Sequence, residues 1–327
     1  MFLFFTLILP DLGFSVIQSS VPLERGFAKI RFVSEFDLST HMISKEQEKN
    51  LLAEFCAKLS KEFKRYSWSD SPCGDVTWHA DLKTGRGNPL LYASFGDGKN
   101  TTLVLGGVHP DELTPVHLAF RFARYLNANP LIYKGKDIRV IIAPLVNPDG
   151  FLQKFPSRTN AAEIDVNRNF LTSDWYDEAL LNWFFKKNRL RRFFPGYFPN
   201  TEVETLFQLQ LLNRFLPSKI FSIHAPLGFY DYDGPGDKLT KPVHSREEKA
   251  ILFPKEVSKK SKNYRIVDYS FYPGSLGNLA GKHRRVPTLT LELNTTNPKS
   301  VEQISEQFLP GFLQAIQFAY EWDPKFR

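Results

Sequence analysis

Two side chains that can share a metal ion stand at the end of an apolar run. Leu103-Val-Leu-Gly-Gly-Val-His-Pro-Asp-Glu112 has the pattern of a buried strand that stops at His109 and Glu112. Their spacing of three puts both on one side of a tight turn or of a helical first turn, close enough to hold one ion. Lys219-Ile-Phe-Ser-Ile-His224 repeats the pattern far along the chain, and a third ligand from a distant strand end suits an open catalytic site better than a closed structural one. Val286-Pro-Thr-Leu-Thr-Leu-Glu-Leu293 alternates as a strand and sets Glu292 among apolar neighbours, where an ionisable group is costly unless paired or used. Asp165-Val-Asn-Arg-Asn-Phe170 brings an amide and a guanidinium side by side. Such a pair can hold a carboxylate, bidentately in the case of Arg168. Arg158 is a second cation, with no acidic partner close in sequence. The set offers candidate metal ligands, a carboxyl group in an apolar setting, and donors that could hold a carboxylate or simply form a polar turn.

These residues need strand ends to position them. Residues 116–126 have helical periodicity and residues 137–145 read as another buried strand, ending in the turn Asn147-Pro-Asp-Gly150. Strand, helix and strand imply a right-handed parallel crossover, and His117 within the helix is read as a packing or surface residue. Residues 90–95 lie between two turn-forming stretches, which suggests a hairpin with the strand that leads to His109. Residues 44–65 form an amphipathic helix with a capping box from Ser44 and Gln47. Residues 175–199 are aromatic and basic, with Lys186, Lys187, Arg189, Arg191 and Arg192 close together. They fit a loop facing an anionic polymer or a solvated helix face. The pattern at 200–204 caps a helix running to about residue 215. Residues 300–322 form an amphipathic helix expected to break at Pro310-Gly311.

With 327 residues, of which 42% are apolar, the chain can bury a full core. Its formal charge of +7 favours anionic partners, but no ordered basic helix or aromatic ladder points to nucleic acid. Residues 1–9 are almost wholly apolar and too short to span a bilayer, and Gly13 and Ser15 follow at signal-peptidase spacing. A cleaved signal over residues 1–15 and a periplasmic or secreted enzyme are the expectation. Because no Lys or Arg precedes the apolar run, a cytoplasmic location stays open. No transmembrane segment is evident. Cys56 and Cys73 allow one disulfide. Residues 16–83 read as an N-terminal extension packed through its helix on a catalytic domain at 84–327, and a monomer is expected.

Taken together, His109-Pro-Asp-Glu112, Asn147-Pro-Asp-Gly150, Arg158, Asp165-Val-Asn-Arg-Asn169, Phe194-Pro-Gly196, His224 and Leu291-Glu-Leu293 resemble, in order, the zinc carboxypeptidase family of the carboxypeptidase A type. Several short motifs in the right order are far more specific than any one of them. Within the family, the short Arg158-Thr-Asn160 spacer and Pro273-Gly-Ser-Leu-Gly277 look most like bacterial murein peptide amidases, which cut between γ-D-glutamate and meso-diaminopimelate. The resemblance implies a single α/β/α domain with a mixed, largely parallel eight-stranded sheet and helices on both faces. It implies one zinc ion on His109, Glu112 and His224, with Glu292 as general base and Arg158 stabilising the oxyanion. Asn167 and Arg168 would clamp the terminal carboxylate, and Asp165 would hold His109 through its other ring nitrogen. Either Tyr269 or Tyr272 would close over substrate, and Leu276 falls near the base of the leaving-residue pocket. A murein peptide is the first expectation for substrate. Leu276 also suits a general carboxypeptidase releasing C-terminal L-residues, and a zinc deacylase of N-acyl amino acids keeps the same set. A catalytically silent binder of cell-wall peptides is disfavoured because a binder has no need of Glu292 beside its metal.

Overall fold

The computed structural model describes residues 37–68, 71–236 and 245–321. The expected signal segment lies outside them. Seven strands form one sheet: β1 (Ala93–Phe95), β2 (Asn100–Leu105), β3 (Ile138–Ala143), β4 (Lys219–His224), β5 (Phe229–Asp233), β6 (Ile266–Val267) and β7 (Thr288–Glu292). The helices are α1 (Lys45–Arg65), α2 (Leu113–Ala128), α3 (Pro148–Phe151), α4 (Val203–Phe215), α5 (Ser245–Ala250), α6 (Leu252–Lys260) and α7 (Val301–Gln317). The strand order is β1-β3-β2-β4-β7-β5-β6. β1 and β5 run antiparallel to β3 and β7, and the remaining pairings are parallel.

The mixed, largely parallel sheet is as expected, but among the described residues it has seven strands, not eight. Beyond β1 the described residues make only isolated bridges, Met42 with Leu82, His79 with Tyr92 and Lys83 with Pro89. Pro89 has no N–H to donate, which keeps such a pairing from extending into a ladder. The hairpin expected at β1 is also corrected, because β1 pairs with β3 and β3 lies between β1 and β2. Gly96 and Gly98 allow it: a Cβ on Gly98 would lie 2.1 Å from the Ile138 nitrogen, so the connection hugs the start of β3 and crosses it.

β2 and β4 are buried along their whole length, as central strands covered on both faces must be. On one face, Phe122 of α2 stacks on Phe312 of α7 at 4.4 Å, and Phe221 of β4 meets the same ring at 4.7 Å. Tyr230 of β5 also turns to that face, edge-on to Phe308 of α7. The alternate residue Asp233 turns to the other, where the helical turn Gly277–His283 packs against it. α7 is continuous through Pro310, which corrects the expected break. Gly311 is buried there, so close to Ser261 Oγ that a Cβ would lie 2.0 Å away, and this packing holds the helix across the proline.

α1 begins with the expected capping box and buries Phe55, Leu59 and Phe63. Phe63 meets Trp68 and Phe120 edge-on, and the His117 ring stacks beside it. His117 is thus a packing residue. The Cys56–Cys73 disulfide closes the chain that follows α1 back onto it.

Candidate functional site

The C-terminal ends of the neighbouring parallel strands β2, β4 and β7 lie on one edge of the sheet, where open α/β sheets place their sites. His224 is the last residue of β4 and pairs in register with Glu292, the last of β7. β2 ends next to β4, and the chain turns sharply at Gly106 and Gly107 to bring His109 over the same edge. At Gly107, φ is +55° and a Cβ would lie 2.6 Å from Leu145 Cδ1, so a larger residue cannot make this turn without displacing the next strand's exit. Glu112 stands at the start of α2 but makes no capping bond to that helix. Its carboxylate turns to the histidines instead.

His109 Nδ1 and His224 Nδ1 lie 3.0 Å apart. Glu112 offers Oε1 to His109 at 3.2 Å and Oε2 to His224 at 3.1 Å. The other nitrogen of each ring is occupied: His109 Nε2 meets Asp165 Oδ1 at 3.1 Å, and His224 Nε2 meets Ser222 Oγ at 3.1 Å. With Nε2–H donated outward, each Nδ1 presents a lone pair. Two lone pairs and a carboxylate facing one another in a buried space repel unless a cation lies between them. The donor set therefore fits zinc, with two imidazoles and one carboxylate leaving an open position.

Asp165 organises this cluster from behind. Its carboxylate accepts from Arg158 Nε at 2.8 Å and from the Asn167 backbone N–H at 3.0 Å, besides meeting His109. Burial opposes the charge on Asp165, but Arg158, then His109 and Arg168, outweigh it and hold the carboxyl well below the usual range. Arg158 also donates to Glu112 Oε1 at 3.3 Å. The acidic partners that Arg158 lacks in sequence are thus supplied by the fold.

Asn167 Oδ1 accepts from the Leu276 backbone N–H at 2.8 Å, which fixes the amide so that its NH2 group is the free end. Arg168 donates to the Asn167 carbonyl at 2.7 Å, and its guanidinium lies 4.4 Å over the Tyr272 ring. Gly274 makes room for this arrangement, since a Cβ there would lie 2.0 Å from the Arg168 carbonyl oxygen. Burial lowers the Arg168 pKa from its ordinary value, with Asp165 opposing the shift. Tyr269 is partly exposed beside Phe229, with its ring 6.1 Å from that of Tyr272. Leu276 is buried, and its backbone serves Asn167.

One cavity of about 300 Å³ takes in the metal-binding cluster, Arg158, the Asn167–Arg168 pair, both tyrosines and Leu276. Glu292 projects into it, and its Oε2 is buried with no hydrogen-bond partner among the described residues. Burial raises the Glu292 pKa, and the nearby histidines limit the rise. A carboxylate that lines a cavity beside a metal-binding cluster, with one oxygen lacking a protein partner, is placed to exchange a proton with water or substrate. The cavity also contains groups that the motifs do not reveal. Ser222 could have been found, because residues two apart on a strand share a face, and it sits two before His224. Asp231 and Asp233 alternate with aromatics in Phe229-Tyr-Asp-Tyr-Asp233, but which face they occupy depends on pairing with β7.

The model of the zinc carboxypeptidase family matches residues 67–305. Murein peptide amidase A of Vibrio campbellii is 28% identical over 240 residues, covering 72% of this chain and 85% of that protein. Among solved structures, the murein-tripeptide amidase of Escherichia coli O157 superposes with a TM-score of 0.55 at 21% identity, over 78% of this chain and 97% of that one. Bovine thrombin-activatable fibrinolysis inhibitor, solved in complex with tick carboxypeptidase inhibitor, gives 0.61 at 16% identity, over 81% and 95%. On a match that takes in the whole sheet and every residue of the site, the chain belongs to the zinc carboxypeptidase family.

Proposed function

We propose that this enzyme hydrolyses the amide between γ-D-glutamate and meso-diaminopimelate in murein peptides. Family membership makes it a zinc-dependent hydrolase, and the narrower reading is carried by its likeness to a murein peptide amidase over 85% of that protein's length. The Cys56–Cys73 disulfide supports work outside the reducing cytoplasm, where murein lies.

Asn167 and Arg168 bind the carboxylate of the leaving residue, the amide and guanidinium N–H groups donating to its two oxygens. Arg158 is anchored by Asp165 and Glu112 and has further N–H groups to donate to the carbonyl oxygen as it becomes negative. The chemistry that zinc supplies when bound to His109, Glu112 and His224 is acidification of a water and polarisation of the scissile carbonyl. Glu292 accepts the proton of the attacking water and delivers it to the leaving nitrogen. Asp165 and Ser222 keep the two imidazoles in the tautomer that leaves Nδ1 free.

Mass-spectrometric analysis of L-alanyl-γ-D-glutamyl-meso-diaminopimelate after incubation with the zinc-loaded enzyme tests the reading. The expected result is release of free diaminopimelate, abolished by a chelator. An intact tripeptide under conditions where plain L-peptides lose their C-terminal residue would overturn it.

A further inference from the structure

The sheet floor beneath the catalytic groups is polar and acidic. In register, His224 lies opposite Glu292 and Glu292 opposite Phe229; two residues back along each strand, Ser222 lies opposite Thr290 and Thr290 opposite Asp231. One step further back, Thr288 lies opposite Asp233. Residues two apart share a face, so Ser222, Thr290, Asp231 and Asp233 stand on the face that bears His224 and Glu292, and all four line the cavity. At about 3.3 Å per residue, Asp231 lies roughly 7 Å and Asp233 roughly 13 Å along β5 from the level of Glu292.

The two carboxylates are held in place. Asp231 Oδ1 accepts from the Tyr269 backbone N–H at 3.0 Å. Asp233 is only 7% exposed, and the helical turn above it makes room with glycines. A Cβ on Gly277 would lie 1.9 Å from Asp233 Oδ2, and one on Gly281 would lie 2.5 Å from Asp233 Cβ. Among the described residues that line the cavity, the cations Arg158, Arg168, Lys187 and Arg192 come from the segment between β3 and β4, whereas these acids come from β5 of the sheet. Leu276, the expected base of the pocket, contributes one wall between Ser275 and Gly277.

We infer that the pocket for the leaving residue selects a side chain ending in an ammonium group, with Asp231 and Asp233 as the residues that receive it. The inference rests on the proposed role of Asn167 and Arg168, which hold the α-carboxylate and so direct the side chain of the leaving residue down the cavity. A diamino acid meets both ends of this arrangement. Its α-carboxylate meets the clamp and its distal ammonium the acidic floor, while the Ser222 and Thr290 hydroxyls can donate to a distal carboxylate where there is one.

The test is a matrix of substrates for the zinc-loaded full chain. The acyl side is either L-alanyl-γ-D-glutamyl or L-alanyl-L-glutamyl, and the leaving residue is meso-diaminopimelate, L-lysine or L-norleucine. Norleucine keeps the four-carbon chain of lysine and lacks only its ammonium. In whichever acyl series is cleaved, kcat/KM for lysine should exceed that for norleucine by about ten- to a hundredfold, as for a hydrogen bond between ionised partners. In Asp231→Asn and Asp233→Asn variants that retain one zinc per chain, the ratio should fall towards one. Calorimetric titration of the wild-type enzyme with free lysine and free norleucine reads the same preference without turnover or substitution. Norleucine equal to lysine in both wild-type measurements, or a ratio untouched in both variants, would overturn the inference. Cleavage confined to the L-glutamyl series with lysine preferred would instead defeat the murein reading and leave the acidic pocket standing.

Discussion

Glu292→Gln is expected to lower kcat by about two to four orders of magnitude, the usual contribution of a positioned acid–base group, while zinc stays at one per chain. Glutamine keeps the shape of the side chain and cannot accept the proton. Because Glu292 ends β7 in register with His224 of β4, the substitution leaves the strand pairing that presents the ligand unchanged. Its free Oε2 means that no described hydrogen bond to that atom is lost. Steady-state kinetics paired with metal analysis of the same preparation reads both effects. Loss of zinc along with activity would make Glu292 a structural support for the cluster.

Arg158→Met should be the next most damaging change, and in two ways. Removing a donor to a developing oxyanion typically costs about 3 to 4 kcal/mol, or two to three orders of magnitude in kcat. Arg158 also compensates Asp165 and Glu112, two buried carboxylates at 2.8 and 3.3 Å. Leaving a buried charge unpaired costs about 3 to 5 kcal/mol of stability, so the variant should melt earlier. The cost should appear mainly in kcat. A rise in KM alone would mean that Arg158 binds substrate and transition state equally well.

The parts of the site that lie on continuous buried strands were legible in the chain. β2 and β4 read as apolar runs because they are covered on both faces, and a histidine at the end of each run, with Glu112 one short turn on, is what such strands present to a site. Asn167 and Arg168 stood out because they are adjacent, and the fold lines the same cavity with both. What escaped reading depends on contacts that only the fold makes. Arg158 reads as unpaired in the chain because Asp165, seven residues on, and the more distant Glu112 reach it only in the folded cluster. The acidic floor at Asp231 and Asp233 becomes apparent only once β5 is set antiparallel to β7, since alternation alone cannot say which face is inward. Leu276 drew attention as an apolar residue at the right place in the order, yet it is the neighbouring Gly277 that shapes the floor, by the space it leaves for Asp233. The supposed hairpin at β1 failed for the same reason, as two glycines let the chain cross β3 instead of turning back beside β1.

One zinc ion held by His109, Glu112 and His224 underlies the proposed hydrolysis, and elemental analysis coupled to activity is the decisive measurement. Metal would be removed with a chelator and returned in steps, with bound zinc and hydrolysis measured at each step. Activity should disappear with the metal and return in proportion to zinc, saturating at one per chain, and a His224→Ala variant should regain neither. Full hydrolysis by the metal-free enzyme, or stoichiometric zinc retained by that variant, would contradict this reading.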